Sequence, residues 1–596
     1  MAPPSSAVDL PDSAWIKSDI IESSSSPPLP RARITTLGTD FTRAFTSQAI
    51  ADPQLDADEV DSECCGGGRC FVSTSTMTLD TATPSSLSGT LPPSPLVGID
   101  FPTTRAFNSL RLPLFKIMGS PRLLGVATLP LSNIDILRSA TTGDGNRHRF
   151  DHFQAPDYLK PHFPYNVHNV PVLAARLLTG PEAVKRTYHF DLDVTNYPDE
   201  MDGVDFRVGG AVGICPPNDP VLVDDIFRRL GISERDSNLE ITLVTKGGRW
   251  PTIWGEDKPR RLQTSMREIL TWTVDLNNGV FSKNLLRVLA EYNCNRSECI
   301  ILSWLCSRQG QSTFCNLRSA AYPPTLLQLL SAFPSSNPPF AHLVSVLPTL
   351  IPRFYSLSSD PIREAVLAKS EPCEMDSTPE KWERVSSVRK IEVAVTVHEA
   401  LESWRAEIAV RPGNCTAFLE RVAHLTMTGQ NVTVPMFRGL QANPLAREFR
   451  HDGPMLLIGA GVGIAPFRGF VQRRLKNANC KNKVWVLQGC RDSLVDELYA
   501  GEWGADDSDV RKVVESRCGT KKYVQDEVID QSVLVWSVIS HPEGCVFVCG
   551  SSKGMGQGVD VALKMVAMKE GNMTAEEAAE FWKEKERAWQ YITETW

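Results

Sequence analysis

MLLIGAGVGIAPFRGFVQRR, residues Met455 to Arg474, joins an uninterrupted apolar run to a glycine-rich turn and then to a stretch of helical period. A short, wholly apolar strand followed by a helix suits a parallel sheet that is buried on both faces. The same grammar returns in VWVLQGCRD from Val484 and in CVFVCGSSKGMGQGVDVALKMV from Cys545. Alternation of this kind predicts an α/β domain with a parallel sheet over residues 446–596. Its turn, Gly459-Ala460-Gly461-Val462-Gly463, lies between strand and helix, where bare backbone can approach a pyrophosphate and helix-terminal N–H groups can hold it. Glycine turns after strands also serve close packing, so the loop by itself leaves both uses open for Gly459, Gly461 and Gly463.

Upstream the period changes. TYHFDLDVTN from Thr187 alternates like a half-buried strand, and VGGAVGICPPND from Val208 is a glycine-opened strand ending in a turn. Between Asp219 and Leu347 the pattern is helical, as in VDDIFRRLG, KNLLRVLAEY and TLLQLLSAF. Strands return at RFYSLSS and at KIEVAVTVHEA, which puts Ile391, Val393, Val395 and Val397 on one face. Two strand groups split by helices predict an antiparallel β-barrel over 161–445 with a helical insertion at about 220–347. Residues 110–160 are mixed and proline-punctuated and read as a linker. Residues 1–109, with SSSSPPLP and TATPSSLSGTLPPSP, show no sustained period and read as mostly disordered.

Composition agrees with such a multidomain chain. At 596 residues it exceeds what one core supports, and 42% hydrophobic with 22% charged residues is ordinary for a folded protein. A net charge of -8 with no long basic run argues against nucleic acid as a partner. Fifteen cysteines without a secretory signal in MAPPSSAVDLPDSAW suggest free thiols and a cytoplasmic location. The most continuous apolar segment, Pro454 to Phe467, is short and contains glycines and a proline, so no membrane anchor is expected. Cys64, Cys65 and Cys70 surround GGGR, but three thiols without a clear fourth ligand fall short of a zinc site, and no metal is expected.

The run GAGVGIAPFRGFVQ resembles the GPGTGIAPFR element of the diflavin reductases. Four further segments resemble the same family in the same order: PRFYSLSS (352–359), RPGNCTAFL (411–419), GCRDSLVDELYAGE (489–502) and VFVCGSSKGMG (546–556). The resemblance covers about 430 residues, from Val167 to the end. It implies an FAD-binding barrel, an NADPH-binding α/β domain and electron transfer from NADPH through FAD to a protein acceptor. By resemblance Arg353 meets the FAD pyrophosphate, Tyr355 stacks on the isoalloxazine and Ser356 bonds near its reactive edge. A planar guanidinium and an aromatic face suit those partners, although a Tyr there could also merely fill the barrel. Gly413, Cys415 and Thr416 correspond to the loop that approaches the FAD phosphates.

For the nucleotide, the resemblance implies that Cys490 and Arg491 line the site and that Ser516, Arg517, Lys521, Tyr523 and Gln525 receive the 2′-phosphate, which favours NADPH over NADH. The plainer reading of that loop is a solvated basic surface. The hydride step falls by resemblance on Ser356, Cys549 and Glu594, with Trp596 covering the flavin. A Cys ending an apolar strand is otherwise a small buried hydrophobe. The chain departs from the family at Val462 for Thr, Ser551 for Asp, Glu594 for Asp, Gln590 for Arg and Val208-Gly209-Gly210 for Pro-Gly-Asp, which bears on rate more than on binding.

The family also carries an FMN-binding flavodoxin domain. CFVSTSTMT, Cys70 to Thr78, is the nearest match to its phosphate loop but lacks glycine, and about ninety residues before the barrel are too few for the rest of that domain. The expectation is that FMN is not bound. In wording the chain is most similar to the methionine synthase reductases, in VPVLAARLLTGPEAVKRTYHFDLDVTN and DYLKPHFP. The implied acceptor is methionine synthase or a flavodoxin-like or haem protein, as in the haem-monooxygenase and sulfite reductase flavoproteins. A catalytically degenerate interaction scaffold is the alternative of another class.

Overall fold

The computed structural model describes Leu110, Leu112 and residues 122–596, apart from 139–150, 162–165, 199–205, 247–258, 321–322, 367–385, 398, 403–408, 440–452, 477–483, 504–509 and 520. The expectations for residues 1–109, including disorder, the cysteine cluster and the FMN loop, lie outside the described residues.

Helices fill the segment between barrel strands, from α1 (Pro220–Arg229) to the eighth described, α8 (Phe340–Val346). Local chemistry sets their starts. Asp219 accepts from the N–H groups of Val221 and Leu222 with Pro220 at the first helical position, and Thr325 and Gln328 form a reciprocal cap on Leu326–Ala332. Their apolar faces share one core around Phe281, Leu285, Ile301, Trp304 and Leu329. The lobe also holds a sheet that the helical reading omitted, in which β1 (Ile134–Arg138) and β6 (Arg261–Ser265) flank β5 (Glu240–Thr245) with antiparallel pairing. In β5 the residues Ile241, Leu243 and Thr245 turn inward at period two. The stretch read as a linker is folded in here, since Leu110, Leu123, Val126 and Ile134 belong to the same core.

The barrel sheet is antiparallel. It contains β2 (His168–Leu177), β3 (Thr187–Asp193), β4 (Ala211–Ile214), β7 (Arg353–Ser356), β8 (Ile362–Val366), β9 (Ser386–Thr396) and β12 (Thr433–Arg438), in the order β7-β4-β12-β2-β3-β9-β8. A separate ladder joins β10 (Glu399–Glu402) to β11 (Ala409–Pro412). Ile391, Val393, Val395 and Val397 are buried on the expected face, where α9 (Asn414–Met427) closes the core with Phe418, Leu419 and Val422. The opposite face of β9 is buried as well, through Glu392, Ala394 and Thr396. Ala394 and Val208 join an apolar cluster with Phe467 and Phe470 of α10 (Ala465–Lys476), so the second domain packs directly on the barrel.

That second domain is the expected parallel sheet: β13 (Met455–Ala460), β14 (Val484–Cys490), β15 (Arg511–Glu515), β16 (Cys545–Gly550) and β17 (Tyr591–Thr595), ordered β15-β14-β13-β16-β17. Separate apolar clusters cover its two faces, which is why its strands read as continuous apolar runs. Strand order runs outward in both directions from β13, so the crevice beyond the carboxyl end of β13 is where such sheets bind ligands. The glycine turn lies there. Among the described residues no helix is long and apolar enough to cross a membrane.

Candidate functional site

Two cavities open where the barrel meets the parallel sheet. The first, of about 430 Å³, is walled by Arg353, Tyr355 and Ser356 of β7 and by Gly413, Cys415 and Thr416 at the start of α9. Cys549, Glu594 and Trp596 close it from the other domain. Residues drawn from four distant parts of the sequence therefore face one space.

Its geometry follows from the elements. Gly413 stands at the N-cap of α9 and has no side chain to cap its first N–H groups, Thr416 Oγ1 donates to the Gly413 carbonyl at 3.2 Å, and Gly413 to Thr416 all face the cavity. A helix start of this kind presents N–H groups and the positive end of the helix dipole to an anion. Asn414, the first helical residue, is held from the helical lobe: its Nδ2 donates to Asn218 Oδ1 at 2.9 Å and its Oδ1 accepts from Asn277 Nδ2 at 2.7 Å. Burial pushes the Tyr355 phenol well above its usual range, with the neighbouring Cys415 sulfur adding to the effect. Burial likewise pushes the Cys415 thiol up to about 12. Arg353 Nη1 makes long contacts of 3.5 and 3.4 Å to the carbonyls of Ile351 and Pro352. An uncapped helix start, a guanidinium and a protonated phenol fit the diphosphate and flat ring of FAD.

On the facing wall β17 runs parallel to β16 with Glu594 in register with Cys549. Cys549 is buried, and burial together with the Glu594 charge raises its thiol well above the usual range, so it stays protonated at neutral pH. Trp596 is pinned on both sides. Its N–H donates to Gly550 C=O at 3.1 Å and its carbonyl accepts from Ser552 N–H at 2.8 Å, while its ring remains half exposed.

The second cavity, of about 510 Å³, sits over the crevice of the parallel sheet. Of the expected nucleotide residues, Gly461, Cys490, Arg491, Ser516, Tyr523 and Gln525 line it. Gln525 Oε1 is buried with no hydrogen-bond partner, a group that a bound molecule would satisfy. Burial, followed by nearby carboxylates, pushes the Cys490 thiol up to about 12. Gly459, Gly463, Arg517 and Lys521 do not line the cavity. A Cβ on Gly463 would lie 2.3 Å from Cys549 O, so that glycine is required by packing, whereas Gly461 has φ +55° and nothing within 4 Å.

Lys185, Lys522 and Lys553 line the second cavity and were given no role in the sequence reading. Lys522 adjoins the expected Lys521, Lys553 lies within a quoted motif, and Lys185 lies within the quoted stretch VPVLAARLLTGPEAVKRTYHFDLDVTN, where nothing marked it out from its neighbours. Of the departures, Val462 lines both cavities and Ser551 one, whereas Gln590 Nε2 donates to the carbonyls of Pro542 and Gly544, both at 2.9 Å. Thr396, Val462 and Trp596 line both cavities, which therefore meet at Trp596.

A barrel and a parallel-sheet domain with cavities meeting between them, matched to the families below, make this chain an NADPH-dependent flavoprotein oxidoreductase. Residues 160–365 match the FAD binding domain family and residues 457–560 the oxidoreductase NAD-binding domain family. An uncharacterized FAD-binding protein of Schizosaccharomyces pombe is 41% identical over 535 residues, 83% of this chain and 88% of that protein. A second one from the same organism is 43% identical over 439 residues, 71% of this chain and 70% of that protein. Methionine synthase reductase of Bos taurus is 26% identical over 462 residues, 72% of this chain and 61% of that protein. The chain belongs to the diflavin reductase family, of which it carries the FAD- and NADPH-binding half.

Proposed function

We propose that this reductase passes electrons from NADPH through FAD to a protein acceptor in the cytoplasm, in the manner of a methionine synthase reductase. The observation that carries this reading is the junction of the two cavities at Thr396, Val462 and Trp596, which lets a ligand in one touch a ligand in the other. FAD, when bound, supplies a ring that accepts a hydride and releases electrons again. Arg353 and the open start of α9 hold its diphosphate, and Tyr355 gives its ring a stacking face. Ser356 donates a hydrogen bond beside the reacting edge. Cys549, protonated and in register with Glu594, forms the opposite wall, and Trp596, which lines both cavities, would cover the flavin ring. The resemblance at 26% identity supports methionine synthase as acceptor, with a flavodoxin-like or haem protein as the more general case.

The test is direct. Flavin released from the purified chain by heat should be FAD, anaerobic NADPH should bleach the bound flavin, and ferricyanide or an oxidised flavodoxin-like protein should restore its colour. Bound flavin that NADPH leaves oxidised would overturn the proposal.

A further inference from the structure

We infer that Arg468 is the positioning residue that fixes the nucleotide domain against the flavin barrel at the spacing required for hydride transfer. This rests on the function proposed above. Arg468 lies in α10, seven residues beyond Gly461, and only 9% of its surface is exposed. Its Nη1 donates to Glu392 Oε2 at 2.6 Å and to Ser358 C=O at 3.2 Å, both in the barrel. Its Nη2 donates to Glu502 Oε2 at 3.2 Å, and its guanidinium lies 4.6 Å from the centre of the Tyr499 ring.

The two barrel partners lead to a cavity wall. Glu392 shares a face of β9 with Ala394 and Thr396, and both of those line the flavin cavity. Ser358 is two residues past Ser356, and its N–H donates to Glu392 C=O at 2.8 Å. On its own helix Arg468 follows Ala465 and Pro466, which line the same cavity. One guanidinium thus ties together three backbone segments that line the flavin cavity, those of Ser356, of Ala394 and Thr396, and of Ala465 and Pro466. Nothing bulky intervenes, because a Cβ on the adjacent Gly469 would already lie 2.8 Å from the Ser359 carbonyl carbon.

A second tier holds the partners. Lys390 bridges Asp191 at 3.1 Å and Glu392 at 2.9 Å, His189 Nε2 meets Asp191 Oδ1 at 2.8 Å, and His189 Nδ1 meets the Tyr499 hydroxyl at 2.9 Å. Arg176 of β2 pairs with Glu502 at 2.7 Å. Asp191, Glu392 and Glu502 are matched by Lys390, Arg468 and Arg176, so the network is balanced in formal charge. His189, Asp191 and Glu392 have the proximity of a metal site, with ligand atoms within 4.8 Å, but Lys390 and Arg468 already neutralise both carboxylates. Desolvated ion networks of this sort add little net stability and are better at specifying one arrangement. A misplacement of roughly 1 Å between reacting groups can slow chemistry on the order of a hundredfold.

The experiment compares Arg468→Met, Arg468→Lys and Glu392→Gln in the full chain with the unaltered protein. FAD content and NADPH affinity should stay within about twofold, while the anaerobic rate of flavin reduction by NADPH falls roughly ten- to a hundredfold in Arg468→Met. Arg468→Lys keeps the charge and should fall between Met and wild type. Because Glu392→Gln acts through Arg468, the Glu392→Gln/Arg468→Met double variant should be no slower than the worse single variant. If Arg468→Met fails to fold, the lysine and glutamine variants carry the same comparison. Flavin reduction at the wild-type rate in molecules that retain FAD would overturn the inference, as would additive losses in the double variant. Failure of the proposed function itself would appear separately, as a wild-type chain that NADPH does not bleach.

Discussion

Gly461 and Gly463 stand on one loop and are glycine for opposite reasons. Gly463 is packed against the end of β16, while Gly461 has a left-handed φ of +55° and faces open space in the nucleotide cavity. Gly463→Ala must push a backbone carbonyl aside and should destabilise the protein by about 1–3 kcal/mol, moving Cys549 with it. Gly461→Ala meets only backbone strain of about 1–2 kcal/mol, and its new methyl enters the cavity. Urea denaturation and NADPH titration should therefore rank the pair in opposite orders, stability hit harder at 463 and affinity at 461. The charged loop divides similarly. Lys522 lines the nucleotide cavity and Arg517 does not, so Lys522→Ala should lose about 1.5–3 kcal/mol of NADPH binding, roughly ten- to a hundredfold, with NADH little changed. A larger NADPH loss from Arg517→Ala would show that the loop closes differently around the nucleotide.

At the scale of elements, what could be read in the sequence depended on whether an element's partners were near in the chain. The central strands of the parallel sheet, β13, β14 and β16, were legible as continuous, largely buried apolar runs. Helices with apolar residues three and four apart and with Asp219 or Thr325 at their starts were legible for the same local reason. β1 was not, since Ile134–Arg138 shows its face only once β5, a hundred residues later, lies beside it. β9 was read half correctly. Its Ile-Val face gave the alternation, but the alternation carries no sign that Glu392 and Thr396 on the other face are buried as well. The site followed the same pattern. The family motifs brought Ser356, Cys549, Glu594 and Trp596 to one cavity, while Lys185 and Arg468, each inside a quoted stretch but given no role there, became visible through the packing of the two domains.

The whole molecule is joined by an apolar contact and by a buried network of charge, and the second of these makes the joint sensitive to pH. Burial alone would raise the Glu392 carboxyl, but hydrogen bonds from Arg468 and Lys390, with the Arg468 charge, hold it below its usual 4.5. Asp191 behaves alike: burial opposes, and His189 and Lys390 prevail to hold it below 3.8. For Lys390 burial would lower the value, and Glu392 and Asp191 raise it above 10.5. Carboxyls lowered by folding contribute stability that is fully present above their unfolded values and is lost as pH falls through the folded ones. The raised amine contributes stability below 10.5 that is lost as pH climbs past its folded value. Between these limits the joint keeps its full strength. Glu392→Gln should therefore destabilise the protein at neutral pH, and its deficit relative to wild type should shrink as urea denaturation is repeated at pH values falling below 4.5, where the unfolded carboxyl takes up its proton, and vanish only below the lower folded value, where the native carboxyl is protonated as well. A deficit that stays constant down to the acid limit would mean that Glu392 acts through its shape and packing, and that its charge does not hold the two domains together.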